Sequence, residues 1–483
     1  MPRPGVDVNI LDDPVQAEAI LDPSQAFMVG VTERGRAGTV HSYSEFKKKY
    51  GGRTAATALL YDAVRSHYEE AGAGTVYVSP VHGDGAVEAA ADLATFLHVV
   101  ARGPGSWGNG IDVETVAPSS LIEQAMGGVV YVVSLDGEEV ERSPAYATAE
   151  EAISWSERQS SYVIFEEYTG ATPGTPTSGA TATLTGGAED DAWTDVELKS
   201  ALEMFPYELG PGQVSVPGSD DPGTFREVAQ HTIDTYRVGL WDLPNEADPT
   251  DIASALSGVY EYPGARNMLA VGALPNYPSE TPPASIYVPA TGVQSGIITR
   301  TDKFGDPSLS AAGVDGYSVR ALGLSQRYND ADREEMNGLG ASLFKEVYGQ
   351  VRMYGYRTAA GPGETNWLFF QESRVIMMIA HECNAVLEEY VLKTMDGKRQ
   401  LLSRVNTALT GVCSRFWVAN ALFGETAGDA FFVDTDSPNS LETMANGELY
   451  ANILLKTSKL AEWIVLNLVK YRTERPLPSA AAA

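Results

Sequence analysis

Residues 103–110 read Gly-Pro-Gly-Ser-Trp-Gly-Asn-Gly and satisfy the G-x-G-x-x-G spacing of a dinucleotide-binding turn. In that turn the glycines end a strand and open a helix, whose N-terminus meets a pyrophosphate. Here Asn109-Gly110 is a turn signal, and the residues after it, IDVETV, alternate with period two, as a strand does. Pro104 has no N–H to offer a phosphate. Gly105, Trp107, Gly108 and Asn109 are therefore read as a structural turn between two elements. His381-Glu382 begins the zinc motif H-E-x-x-H, but position 385 is alanine, so the second imidazole is missing and an ordinary helix-surface His-Glu pair is expected. No G-x-x-x-x-G-K-[ST] loop occurs, and Pro104 stands where a nucleophile elbow around Ser106 would need glycine. The six histidines are scattered. No catalytic, cofactor-binding or metal-ligating residue is assigned.

The net charge of −30 is unevenly spread. Residues 103–255 carry 27 acids against 5 bases, whereas residues 256–483 carry 24 against 20. That sign argues against a nucleic-acid partner and for a solvated outer face in the middle of the chain. No apolar run reaches membrane-spanning length, and the opening MPRPGVDVNILDDPV has no signal-peptide core. Cys383 and Cys413 fall in apolar helical patterns and are expected to be buried free thiols.

The elements that would position these residues follow from periodicity. VDVNIL and AFMVGVTE read as strands, SYSEFKKKYG as a helix opened by Ser44, and residues 54–74 as an amphipathic helix with Leu59, Ala63, Val64 and Tyr68 on one face. TVYVSPV completes an α/β unit. Residues 111–186 are β-rich, with a hairpin at Asp136-Gly137. Residues 371–397 place Val375, Ile379, Cys383, Val386 and Tyr390 on one helical stripe that stops at Gly397. Residues 398–424 repeat the device with Leu402, Val405, Leu409, Val412, Phe416 and Leu422. Strands are expected at 429–436, 448–456 and 461–472. The bases from Lys456 to Arg475 suit either a protected strand edge or an acidic neighbour.

Taken in order, RPGVDV, YSEFKKKYGG, GPGSWGNGIDV, YGQVRMYGYRT, SRVNTALTGVCSRFWVANALFG, DAFFVDTD and GELYANILL resemble the tail sheath proteins of contractile phage tails and related injection systems. Where that family usually reads aP..PaEFi, this chain has Thr457-Ser458-Lys459-Leu460-Ala461-Glu462-Trp463-Ile464, without the prolines. The resemblance implies an α/β (α+β) multidomain fold. Its parts would be an extended arm (1–24), an N-terminal α/β part of the sheath core (25–110) and an inserted β-rich outer domain (111–186). A subtilisin-like α/β domain without a catalytic triad (187–365), a C-terminal core module (366–460) and a terminal strand arm (461–483) would follow.

The implied function is that of a non-enzymatic subunit. It would stack as six-membered rings in a helical array around an inner tail tube protein, between baseplate and tail terminator proteins. On contraction it would drive the tube through a cell envelope without itself inserting in a membrane. It would be made in the host cytoplasm and end up in the virion tail, with no cofactor. Asp7, Val8, Asn9, Ile10 and Leu11 at one end, and Ile464, Val465, Leu466, Asn467, Leu468 and Val469 at the other, are candidates for strand exchange between subunits. Lys398, Arg399 and Arg404 are candidate tube contacts. The alternatives are a hydrolase-like enzyme with its site in the middle α/β domain, and a static coat protein.

Overall fold

Phe27 and Val29 face one apolar core while Ala26 and Met28 face another, so the strand Ala26–Gly30 is covered on both sides. This is the environment of a central strand in a doubly covered parallel sheet. In the computed structural model, which describes residues 22–170, 174–303 and 309–462, it lies inside an eight-stranded sheet. The order is Gln350–Met353, Ala341–Val347, Met268–Gly272, Val238–Asp242, Gln213–Ser215, Ala26–Gly30, Val76–Pro80 and Gly38–Val40. The six inner strands are parallel, and the two edge strands run antiparallel. The sheet thus joins residues 26–80 to residues 213–353, two stretches that the sequence assigns to separate parts.

The central helix Ala290–Asp302 is buried on almost every side. Its partner is the helix Ala58–Ala71, and the two approach so closely that a Cβ on Gly292 would lie 2.5 Å from Ala63 Cα, and one on Gly296 2.6 Å from the His67 carbonyl. The buried residues of Ala58–Ala71 include the expected Ala63, Val64 and Tyr68, but Leu60 replaces Leu59, which is exposed. The preceding helix, Tyr43–Tyr50, is capped by Ser42 rather than Ser44: Ser42 Oγ accepts from the Glu45 amide at 3.1 Å.

The β-rich region has its own core, built on Leu97, Val99, Ile111, Val113, Tyr131, Val133, Trp155, Val163 and Phe165. A four-stranded and a three-stranded sheet enclose it with the helix Ala149–Gln159. This core already includes Ala89 and Leu93, so the insertion begins well before the expected boundary at residue 111. Asp136 and Gly137 both take positive φ, 52° and 85°, as the expected tight hairpin requires.

Helices Phe370–Glu388 and Gln400–Val418 form the fourth core around Val375, Ile379, Cys383, Val405, Leu409, Val412 and Phe416. The first helix stops at Glu388, short of Gly397, because the stripe loses its cover: Val386 and Tyr390 are only partly buried, and Val391 and Leu392 are exposed. The second begins where the Asp396 carboxylate accepts from the Gln400 and Leu401 amides, at 3.0 and 2.9 Å. Both cysteines are free and buried.

Candidate assembly site

Two short strands, Phe431–Asp434 and Asn452–Leu455, close the fourth core. They pair antiparallel in the register Phe431 with Leu455, Phe432 with Leu454 and Val433 with Ile453. Phe431 and Val433 point into the core. Phe432 and Leu454, opposite each other, point outward and are 59% and 61% exposed. Among the described residues this sheet has no third strand. A two-stranded sheet is marginal by itself, and unpaired edges are templates for another chain. The expected strand segments 7–11 and 464–469 lie outside the described residues. Lys398, Arg399 and Arg404 are exposed around the start of the helix Gln400–Val418, on the same module, and Arg399 pairs with Asp436 at 3.1 Å.

From Leu455 the chain crosses to the main sheet along residues 456–462. The Lys456 amide donates to the Ala430 carbonyl at 2.9 Å, and Phe423 donates to the Lys456 carbonyl at 2.8 Å. Thr457 Oγ1 donates to the buried Glu372 at 2.7 Å. The Ser458 amide reaches Ala421 O at 3.1 Å, and its hydroxyl reaches Asn420 O at 2.8 Å. Leu460 packs against the main core. Glu462 receives Arg357 through two nitrogens, at 2.8 and 2.6 Å, and Asn337 Nδ2 at 2.9 Å. The strap therefore has a defined path without the prolines of the resembled pattern. Burial raises the Glu462 carboxyl, but the bonds from Arg357 and Asn337 outweigh it and hold the group below its ordinary range.

The glycine-rich turn is a clasp between the β-rich insertion and the main sheet. It follows the strand Leu97–Ala101, makes one 3-10 turn over Ser106–Gly110, and enters the strand Ile111–Val116. No α-helix follows the glycines. Gly103, at φ 145°, lies against the Gly35 backbone, where a Cβ would sit 2.8 Å from the carbonyl. Asn109 exchanges two 2.9 Å bonds with the Gly187 backbone, and the Gly105 amide donates to Val87 O at 3.1 Å. Trp107 Nε1 donates to Pro104 O at 3.0 Å, and the Arg34 guanidinium lies 5.9 Å from the Trp107 ring and 4.8 Å from the Tyr162 ring. Gly108 is wedged between Ala89 and Ala101. The entry and exit of the insertion are thus tied to one loop.

His381 differs from its expected surface position. It is 3% exposed, and Nε2 donates to Tyr207 O at 2.9 Å, while Glu382 pairs with Arg415 at 2.6 Å. Burial lowers its pKa, opposed in part by the bond to Tyr207. Among the described residues no group of three His, Cys, Asp or Glu is arranged to hold a metal. At the C-terminal ends of the parallel strands, where such sheets place ligand sites, Asp242 is fully occupied. It accepts from Gly218 N at 2.7 Å, Thr291 N at 3.0 Å and Thr291 Oγ1 at 2.5 Å. These bonds join the sheet to the start of the central helix, which is a structural use of the carboxylate. A second buried tie, Arg374 to Asp302 at 2.6 Å, fastens the helix Phe370–Glu388 to the end of the central helix. Nothing in residue spacing pointed to that pair, because its members lie 72 positions apart.

No protein-family model matches the sequence, and no curated protein matches it. Solved structures do match over most of the chain. A sheath tail protein from Listeria innocua aligns with 90% of this chain and 95% of its own length, at 15% identity and a TM-score of 0.60. One from Desulfitobacterium hafniense aligns with 94% of this chain and all of its own, at 16% identity and a TM-score of 0.55. The helical sheath of the anti-feeding prophage in its contracted state aligns with 98% of this chain and all of its own, at 14% identity and a TM-score of 0.56. The chain has the fold of these sheath proteins.

Proposed function

We propose that the protein is the structural subunit of a contractile sheath, a polymer of many copies that shortens around an inner tube. The observation that carries this reading, beside the fold, is the two-stranded sheet with an exposed Phe432–Leu454 pair. A sheet that is two strands wide among the described residues is suited to accept strands from other copies. Residues 7–11 and 464–469 are the donors in this reading. A contact in which one copy's segment fills another copy's edge is heterologous and propagates as a helical array. Such threads keep copies linked while rigid bodies rotate past one another.

The subunits stack as six-membered rings, contact a tube protein through Lys398, Arg399 and Arg404, and meet baseplate and terminator proteins at the two ends. The energy of contraction is stored at assembly and released as a population shift, so no fuel is hydrolysed. The protein is made in the host cytoplasm and works outside it. The acidic insertion faces solvent.

Deleting residues 1–15 should leave folded subunits that form neither rings nor tubes by electron microscopy. Phe432→Lys should do the same, because the side chain is mostly exposed and its replacement burdens only the incoming strand. Normal tubes from both variants would reject the reading.

A further inference from the structure

Arg357 and Glu462 lie 105 positions apart, yet they meet in a two-point ion pair at the last described residues of the chain. Arg357 stands on fixed ground. The Tyr356 carbonyl accepts from the Phe370 amide at 3.0 Å, Thr358 N donates to Leu368 O at 3.0 Å, and Ala359 N donates to Met268 O, in the main sheet, at 2.9 Å. Asn337, on the helix Asp330–Gly338, braces the same carboxylate. Along the strap, residues 456, 457, 458, 460 and 462 are each anchored in turn, to the C-terminal module first and the main body last.

From this we infer that the Arg357–Glu462 pair is a positioning device. It fixes the point at which the C-terminal segment leaves the body, so that the segment reaches a neighbouring copy in one strand register. The inference rests on the strand-exchange reading above. Two freed residues of flexible chain span about 8 Å, from roughly 5–6 Å times the square root of the residue number. That exceeds both the ~3.4 Å rise per residue and the ~4.8 Å between strands. A slip of one residue turns every side chain to the wrong face of the sheet. Loss of the last anchor therefore removes register control while the subunit's own cores stay intact. Arg357 is the suitable cation because its planar fork meets both carboxylate oxygens, which a lysine point charge does not.

The test compares Glu462→Gln, Arg357→Lys, the charge-swapped pair Arg357→Glu/Glu462→Arg, and a chain ending at residue 462, each purified at full expression and assayed by sedimentation and negative-stain microscopy. The expected result is a tenfold or greater loss of sedimentable tubes for Glu462→Gln and a smaller loss for Arg357→Lys. Both should keep the thermal midpoint of the unassembled subunit, and the swapped pair should recover most of the assembly. Recovery by the swapped pair shows that the two side chains act through each other, and assembly lost at an unchanged thermal midpoint is something a merely structural role does not produce. Wild-type assembly by Glu462→Gln, or a folded swapped pair that does not assemble, overturns the inference. If the truncated chain fails to assemble while Glu462→Gln assembles normally, the sheath reading stands and the positioning role falls. If the wild-type chain never assembles, the sheath reading itself falls.

Discussion

Asp302→Asn leaves the Arg374 guanidinium charged and without its anion at a site where both side chains are almost wholly buried, 4% and 3% exposed. Removing one partner of such a pair costs about 3–5 kcal/mol, most of it the desolvation of the abandoned charge. For a cooperative unit of 150–250 residues, 1 kcal/mol corresponds to roughly 2–4 °C, so the midpoint should fall by about 6–20 °C. Because the pair joins the helix Phe370–Glu388 to the central helix Ala290–Asp302, the C-terminal module should also loosen from the main body, and limited proteolysis should cut near residue 366 sooner. Replacing both members together, Asp302→Leu with Arg374→Met, removes the charge as well as its partner and should recover most of the loss. Differential scanning calorimetry of the unassembled subunit measures both variants against the wild type. A fall of less than about 1 kcal/mol for Asp302→Asn, or a double variant no better than the single one, would refute the reasoning.

Three further outcomes are expected. Gly108→Val should destabilise the β-rich insertion by about 1–3 kcal/mol, because a Cβ there would meet Ala89 and Ala101 Cβ atoms at 2.8 and 2.9 Å; urea unfolding followed by tryptophan fluorescence checks it. Burial pushes the Cys383 thiol up to about 12 and the Cys413 thiol up to about 11, so neither should react with a thiol reagent at pH 8 until the chain is denatured, when two equivalents should react. Glu462 is held below its ordinary range, so its contribution to anchoring the strap is present above the ordinary carboxylate pKa and lost as pH falls through the lowered value. Sedimentable assembly should therefore weaken on the acid side of that window, and Glu462→Gln should flatten this limb of the profile.

Much of the architecture was legible because it is written in local periodicity. The run AFMVG, the alternation of IDVETV and the stripe of Val405, Leu409, Val412 and Phe416 each announce an element, and the structure places an element there. The glycine-rich turn was legible from its chemistry, since Pro104 and Asn109-Gly110 cannot open a phosphate-binding helix. What periodicity could not reveal was partnership at long range. The pairing of Ala26–Gly30 with Gln213–Ser215 merges two parts of the chain in one sheet, and no local pattern encodes which strands become neighbours. The insertion's early start at Ala89 was hidden for the same reason, because Ala90–Leu93 is a short, mostly half-exposed strand defined by its partner Leu97–Ala101. His381 read as part of a helix-surface His-Glu pair because the zinc motif is incomplete at position 385, yet a contact with Tyr207, 174 positions away, buries it. The Arg357–Glu462 pair carried no local signal, because Arg357 falls in a segment that resembles a sheath motif whereas Glu462 falls where the chain departs from that family's pattern.

Negative-stain electron microscopy of the purified, assembled full-length chain tests the sheath reading most directly. Hollow tubes in two forms, a long narrow one and a short wide one, are expected. Isolated monomers under all assembly conditions, or shells of a single invariant form, would contradict it.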